Sequence, residues 1–156
     1  VALIEKYAFG AGATLSSWCD IALSEETALF AYPEVHHGFP PSPALMALFL
    51  AVGRKKAMEL VLTGRRIDAH EADRIGLITR AVPAAALEAE LDKLLACLLR
   101  SGPDAVARTK QFVWHSDESG HRASTATAVD SISPGLASPQ AREGIAAFFD
   151  KRVPKW

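Results

Sequence analysis

An α/β core followed by a helical layer is the fold class this sequence predicts, and three observations predict it. Short apolar runs separated by turn residues fill the chain up to Tyr32. From Pro43 onward the apolar residues recur at helical spacing. Strands come first and helices afterwards, which points to a sheet layer covered by helices.

The elements follow in order. Val1 to Phe9 reads as one strand, ended by Gly10, and Ala11 to Cys19 as a short helix of small and apolar residues. Asp20 to Ser24 is a second strand and Glu25-Glu26-Thr27 a polar turn. Leu29 to Tyr32 is a third strand, stopped by Pro33, which cannot donate to a sheet ladder. Val35 to Pro43 is a loop rich in His, Gly and Pro. Ser42 is the expected cap of the next helix, with Pro43 at its first position. Ala44 to Val52 is almost wholly apolar, hence buried; Gly53 breaks it. Arg54 to Thr63 is amphipathic through Ala57, Leu60 and Val61, and Gly64 stops it. Asp68 opens a helix from Ala69 to Ile75, closed by Gly76, and Leu77 to Val82 is extended. Ala84 to Arg100 is a long amphipathic helix, and Pro103 opens another reaching Trp114. Ser116 to Ser124 reads as a polar loop and Ala123 to Ile132 as helix. Ser138-Pro139 caps a last helix through Arg152, with Glu143 in its first turns and Lys151-Arg152 at its end, matching the helix dipole. Two regions result: a core over 1–83 and a helical region over 84–156.

The composition excludes several classes. The 156 residues suffice for a domain with its own core. Hydrophobic residues are 49% and charged residues 22%, ordinary for a globular chain, and the net charge of −1 draws nothing to phosphate backbones. Apolar runs are too short and broken to span a membrane, and no signal peptide is visible. Cys19 and Cys97 stand far apart without a metal-binding pattern and read as reduced thiols of a cytoplasmic protein. No metal site is expected. The chain opens at Val1, without Met and within a strand, and is expected to be a fragment.

Two segments carry chemistry. Gly10-Ala11-Gly12 ends a strand and opens a helix, leaving backbone N–H groups unpaired where the dipole adds positive charge. Small residues there let a carbonyl approach the backbone closely. The spacing fits neither a dinucleotide fingerprint nor a phosphate loop. Glu34 follows Pro33 in a turn flanked by Leu29, Phe30, Tyr32, Val35 and Phe39, apolar surroundings that favour acid/base duty. His36 and His37 lack a third ligand nearby and read as loop residues. Ser16, Ser17, Asp20 and His36 do not make a hydrolase triad, because no GxSxG elbow is present.

Taken together, Lys6-Tyr7-Ala8-Phe9-Gly10-Ala11-Gly12-Ala13-Thr14-Leu15, Trp18-Cys19-Asp20-Ile21 and Phe30-Ala31-Tyr32-Pro33-Glu34-Val35-His36-His37-Gly38 resemble the crotonase (enoyl-CoA hydratase/isomerase) family. So do Leu62-Thr63-Gly64-Arg65-Arg66-Ile67-Asp68-Ala69-His70-Glu71-Ala72 and the tail from Ala141 to Arg152. The resemblance implies a crotonase-like spiral ββα core, here partial, followed by a helical C-terminal region that builds a homotrimer or hexamer. It implies acyl-CoA thioester chemistry through a stabilised enolate, with coenzyme A as part of the substrate and no separate cofactor. Ala11 matches a backbone donor of the family's oxyanion hole, with Gly12 beside it. Glu34 matches one of two acid/base glutamates; Thr14 stands where the other falls. A threonine holds water or a substrate oxygen but takes no proton near neutral pH, so the expected chemistry shifts from two-carboxylate hydration toward proton transfer between carbons. Pro40-Pro41-Ser42-Pro43 replaces the family's Gly-rich stretch. Lys151 and Arg152 are the candidates for coenzyme A phosphates. The family's other oxyanion donor precedes the segments present here, and losing one donor costs ~3–4 kcal/mol of transition-state stabilisation. Two alternatives accompany this reading: a crotonase-like chain that binds or assembles without turnover, and a hydrolase of CoA thioesters or carbon–carbon bonds.

Overall fold

The structure, a computed structural model, describes residues 1–37, 40–119 and 138–155. Contacts divide it into two compact units, Val1–Asp92 and Lys93–Trp156.

In the first unit the chain lays rungs on two sheets alternately. The expected strand from Val1 to Phe9 is two strands, β1 (Ala2–Ile4) and β2 (Tyr7–Phe9), each in a different sheet. Lys6 is the cause: it takes the left-handed φ of 55°, and the Tyr7 N–H turns back onto the Glu5 carbonyl in a γ-turn. The Glu25 carboxylate accepts the Lys6 N–H at 2.7 Å and holds the corner. After helix α1 (Ala11–Ser17), strands β3 (Ala22–Glu25) and β4 (Leu29–Ala31) repeat the pattern. β1 pairs with β3 in parallel, Ala2 opposite Ala22, and β2 pairs with β4 in parallel, Tyr7 opposite Leu29. β5 (Ile67–Asp68) then adds antiparallel to β4, and β6 (Arg80–Val82) parallel to β3. Ile67–Asp68 was not expected as a strand; two residues are too few for an alternating pattern to register.

Helix α2 (Ser42–Thr63) packs on α1, and its Leu48, Ala57, Leu60 and Val61 enter the core. It starts one residue earlier than the sequence suggests. Pro41 is its N-cap and Ser42 already lies inside, because the Pro41 carbonyl accepts the N–H groups of both Ala44 and Leu45 at 3.0 Å. Pro43 fits the second position as well as the first, having no N–H to leave unpaired. The break at Gly53 is present as a kink, φ 72° and ψ 164°, inside one continuous element. Gly64 closes α2 in the left-handed conformation. Asp68 caps α3 (Ala69–Arg74), accepting the Glu71 N–H at 2.7 Å. The core joins Ile4, Phe30, Tyr32, Leu48, Leu60, Val61, Ile67 and Ile78. Alanines at 13, 28, 57, 69 and 72, all fully buried, let helices approach the sheets closely.

The predicted helix from Ala84 begins as a 3-10 turn (Ala84–Ala86) and continues as α4 (Leu87–Leu99), which crosses the boundary between the units. In the second unit α5 (Pro103–Ser119) runs past Trp114 into the stretch read as a loop. No Gly or Pro interrupts the sequence there before Gly120. The helix expected over 123–132 lies outside the described residues. Ser138 caps α6 (Pro139–Phe149), as its position suggests, accepting the Ala141 N–H at 3.0 Å. Among the described residues, no helix is long and apolar enough to cross a membrane.

Candidate active site

Gly10 is the hinge on which the site is built. Its N–H donates to the Ala31 carbonyl at 3.0 Å, tying the end of β2 to the end of β4. Its φ of 53° and ψ of −116° are open to glycine and strained for other residues. The chain thereby turns from strand into helix without a spacer. The Gly10 carbonyl accepts both the Thr14 N–H at 2.9 Å and the Thr14 hydroxyl at 3.0 Å. No side chain caps α1. The N–H groups of Ala11 and Gly12 lie in its first turn, where the helix supplies no acceptor, and both residues are exposed. A Cβ on Gly12 would meet nothing within 4 Å, so the approach to this turn is open.

Glu34 belongs to a 3-10 turn (Pro33–His37) directly after β4. Because β2 and β4 are neighbours and Gly10 is bonded to Ala31, the turn brings this carboxylate back over Gly10. A Cβ built on Gly10 would lie 3.5 Å from Glu34 Oε1 and 4.0 Å from its Cδ. Glu34 Oε2 is shielded from solvent and has no hydrogen-bond partner. A buried acceptor left unsatisfied is costly, and one aimed beside open backbone donors is suited to take a proton from a bound molecule.

Thr14 sits one turn beyond Gly10, half-buried, its proton spent on the Gly10 carbonyl. Its oxygen keeps lone pairs to accept a donor. Gly10 is therefore the common neighbour of Glu34 and Thr14. Beneath them lies a pair that the sequence reading did not assign to the site. The Tyr32 phenol, 1% exposed, is 2.7 Å from the Ser17 hydroxyl, which donates to the Ala13 carbonyl at 2.7 Å. Burial pushes the Tyr32 phenol up to about 12; the Ser17 hydrogen bond pulls it back, and the Glu34 charge adds to the rise. The available signal was the tyrosine itself, a polar tip on an otherwise apolar strand end, which needs a partner when buried.

Both histidines, expected in a loop, lie in the 3-10 turn. His36 Nε2 is 2.9 Å from the Thr63 carbonyl at the end of α2, and its ring covers Gly64. Among the described residues no three His, Cys, Asp or Glu side chains converge for a metal. Lys151 and Arg152 belong to the second unit. The Arg152 guanidinium is shared by Glu143 at 2.6 and 3.0 Å and Asp150 at 3.2 Å, which holds Glu143 down at about 2.

The family model for enoyl-CoA hydratase/isomerase matches residues 1–156. The chain belongs to this family. A probable enoyl-CoA hydratase of Mycobacterium bovis is 34% identical over all of this chain and 61% of its own length. The mitochondrial enoyl-CoA hydratase domain-containing protein 3 of the mouse is 35% identical over all of this chain and 52% of its length. Among solved structures, the enoyl-CoA hydratase of Mycobacterium smegmatis superimposes with a TM-score of 0.91 at 31% identity, covering all of this chain and 62% of the other. The chain thus spans about three-fifths or less of the relatives it matches. The crotonase fold is the fold of this chain, with one parallel and one mixed sheet and a helical C-terminal region.

Proposed function

We propose that the chain performs enolate chemistry on an acyl-CoA thioester, with Glu34 moving the proton. The observation that carries this reading is the Glu34 carboxylate, one oxygen buried and unpartnered, lying over the start of α1. The Ala11 N–H, with Gly12 beside it, would donate to the thioester oxygen as charge moves onto it. Glu34 would take a proton from the carbon next to the thioester carbonyl and return it two carbons along, shifting the double bond. The electron pair of the broken C–H bond passes through the enolate and returns to carbon, so no co-reactant is consumed. Thr14 cannot supply the second carboxylate of a hydratase; its free lone pairs suit a substrate donor or a single water. Lys151 is the better of the two coenzyme A candidates, since Arg152 is held by Glu143 and Asp150. Exposed Phe148, Phe149 and Ile145 on α6 favour assembly through that helix.

The experiment compares a 3-enoyl-CoA with crotonyl-CoA on the parent protein and on Glu34→Gln. We expect isomerisation to exceed hydration, and the variant to lose about 10²- to 10⁴-fold in kcat, the usual weight of a general acid/base. Equal activity of Glu34→Gln and parent would remove Glu34 from the mechanism. Hydration that outpaces isomerisation would refute the one-carboxylate reading.

A further inference from the structure

The site depends on a distance that neither Glu34 nor Ala11 fixes alone. Glu34 rides on the turn after β4, whereas Ala11 and Thr14 ride on α1. The hydrogen bond from Gly10 to Ala31, continuing the β2–β4 ladder, joins them through the backbone. A helix of seven residues, uncapped by any side chain, has little stability of its own. Helix α2 packs along it, and the far turn of α1 is tied to the end of β4 as well.

The Tyr32 phenol makes that tie. It is two residues before Glu34, between the end of β4 and the turn that carries Glu34, and almost wholly buried. Ser17 is the last residue of α1. The Ser17 and Tyr32 hydroxyls lie 2.7 Å apart, and both reach the Ala13 carbonyl, Ser17 at 2.7 Å and Tyr32 at 3.5 Å. Whichever hydroxyl donates to the other, the pair ends on the Ala13 carbonyl. Such a chain polarises along its length, and each bond is stronger for the other. It runs from the strand that carries the acid/base residue into the backbone of the helix that carries the carbonyl-binding donors. Ala13, its end point, is fully buried and packs in the core, so the chain pulls on a fixed part of α1.

We infer that Tyr32, acting through Ser17, is a positioning residue that sets the separation between Glu34 and the first turn of α1. The inference rests on the acyl-CoA reading of Glu34. Tyr32 touches no reacting atom; its contribution is to keep the proton acceptor and the oxyanion donors at one spacing while the enolate forms. The phenol points into α1 rather than toward Glu34, which leaves Glu34 Oε2 without a partner and so available to substrate.

Tyr32→Phe is a clean perturbation. It keeps the ring that fills the core, and Ser17 still donates to Ala13, so no buried donor is stranded. The expected result is a kcat lowered roughly tenfold with KM within twofold, since misplacement at this scale costs turnover rather than binding. Ser17→Ala should lower kcat similarly, and the double variant should lose little more than either single one, because both remove the same chain. A second readout does not depend on turnover. Amide hydrogen exchange at Thr14 and Trp18, whose N–H groups close α1 onto Gly10 and Thr14, should quicken in Tyr32→Phe while β3 amides keep their rate. Glu34→Gln is run alongside. If Glu34→Gln is inactive while Tyr32→Phe keeps the parent kcat and the parent exchange at α1, Tyr32 is filler and the inference falls alone. If Glu34→Gln retains full activity, the acyl-CoA reading falls, and quickened exchange at α1 would retain only the structural tie. A kcat loss in Tyr32→Phe that simply tracks a general loss of exchange protection would also overturn the positioning role.

Discussion

Gly10 and Gly12 are two residues apart, yet alanine should act on them in opposite directions. At Gly10 the backbone holds φ 53° and ψ −116°. An added methyl would meet Glu34 Oε1 at 3.5 Å, an ordinary contact, so the cost there is conformational rather than steric. A non-glycine residue held in such a region costs about 1–3 kcal/mol. At Gly12 the backbone is helical and the methyl would enter open space. There alanine should gain up to about 0.5–1 kcal/mol through helix propensity and a less flexible unfolded chain. In a unit the size of Val1–Asp92 each kcal/mol moves the thermal midpoint by about 4–8 °C. Far-ultraviolet circular dichroism on the two variants should therefore show midpoints displaced to opposite sides of the parent. Gly10→Ala should also lose more turnover than stability explains. The strain is relieved by rotating the Gly10–Ala11 peptide, and the Ala11 N–H rotates with it. A Gly10→Ala protein as stable as the parent, or two variants shifted alike, would refute the claim that this turn is held in a conformation reserved for glycine.

Two further outcomes follow from contacts outside the site. Gly64→Ala places a methyl 2.7 Å from His36 Cε1 at a φ of 57°, and should cost about 2 kcal/mol in urea unfolding. Adding His36→Ala should recover the steric share, and no recovery would show that the ring is not against Gly64. The Arg65 guanidinium bonds both oxygens of Glu71, at 2.6 and 2.9 Å, and the Glu59 carboxylate at 2.7 Å. Its hydrogen bonds hold Glu71 below the ordinary 4.5, and those of Lys56 and Arg65 do the same for Glu59. Between the depressed folded values and 4.5 the unfolded chain binds more protons, so stability rises with pH there. The parent should lose stability as pH falls from about 4.5, and Arg65→Gln should lose less over the same range. Equal losses, measured as urea midpoints at pH 6 and pH 3.5, would contradict the network.

The residues of the candidate site were legible in the sequence because they stand out by type: a lone carboxylate after Pro33, small residues after a strand, a hydroxyl one turn further on. Its construction was not. The left-handed corner at Lys6 depends on the Glu25 carboxylate, nineteen residues away along the chain. A lysine carries no local mark of positive φ, so two strands read as one. Ser42 reads as a cap by type, but the cap is chosen by which carbonyl receives the first helical N–H groups, and that is the Pro41 carbonyl. Gly53, Gly64 and Gly76 were legible because each sits where φ is positive, a demand that glycine alone meets cheaply. Ser17 looked like a fragment of a failed triad. Its partner is Tyr32, and only the pairing of β2 with β4 brings the two elements together.

The alternation of rungs bears on where this chain can change. Ala2 lies opposite Ala22 and Tyr7 opposite Leu29, so every residue between Phe9 and Ala22 is counted twice, once by each parallel ladder. Dropping one residue there would slip a sheet and turn its apolar set outward. Past Ala31 the count is released: Glu34 hangs on a short turn, and the Pro-rich stretch before α2 belongs to no ladder. That stretch can change in length or bulk while the two ladders keep their register and fix the point at which the Glu34 turn leaves β4.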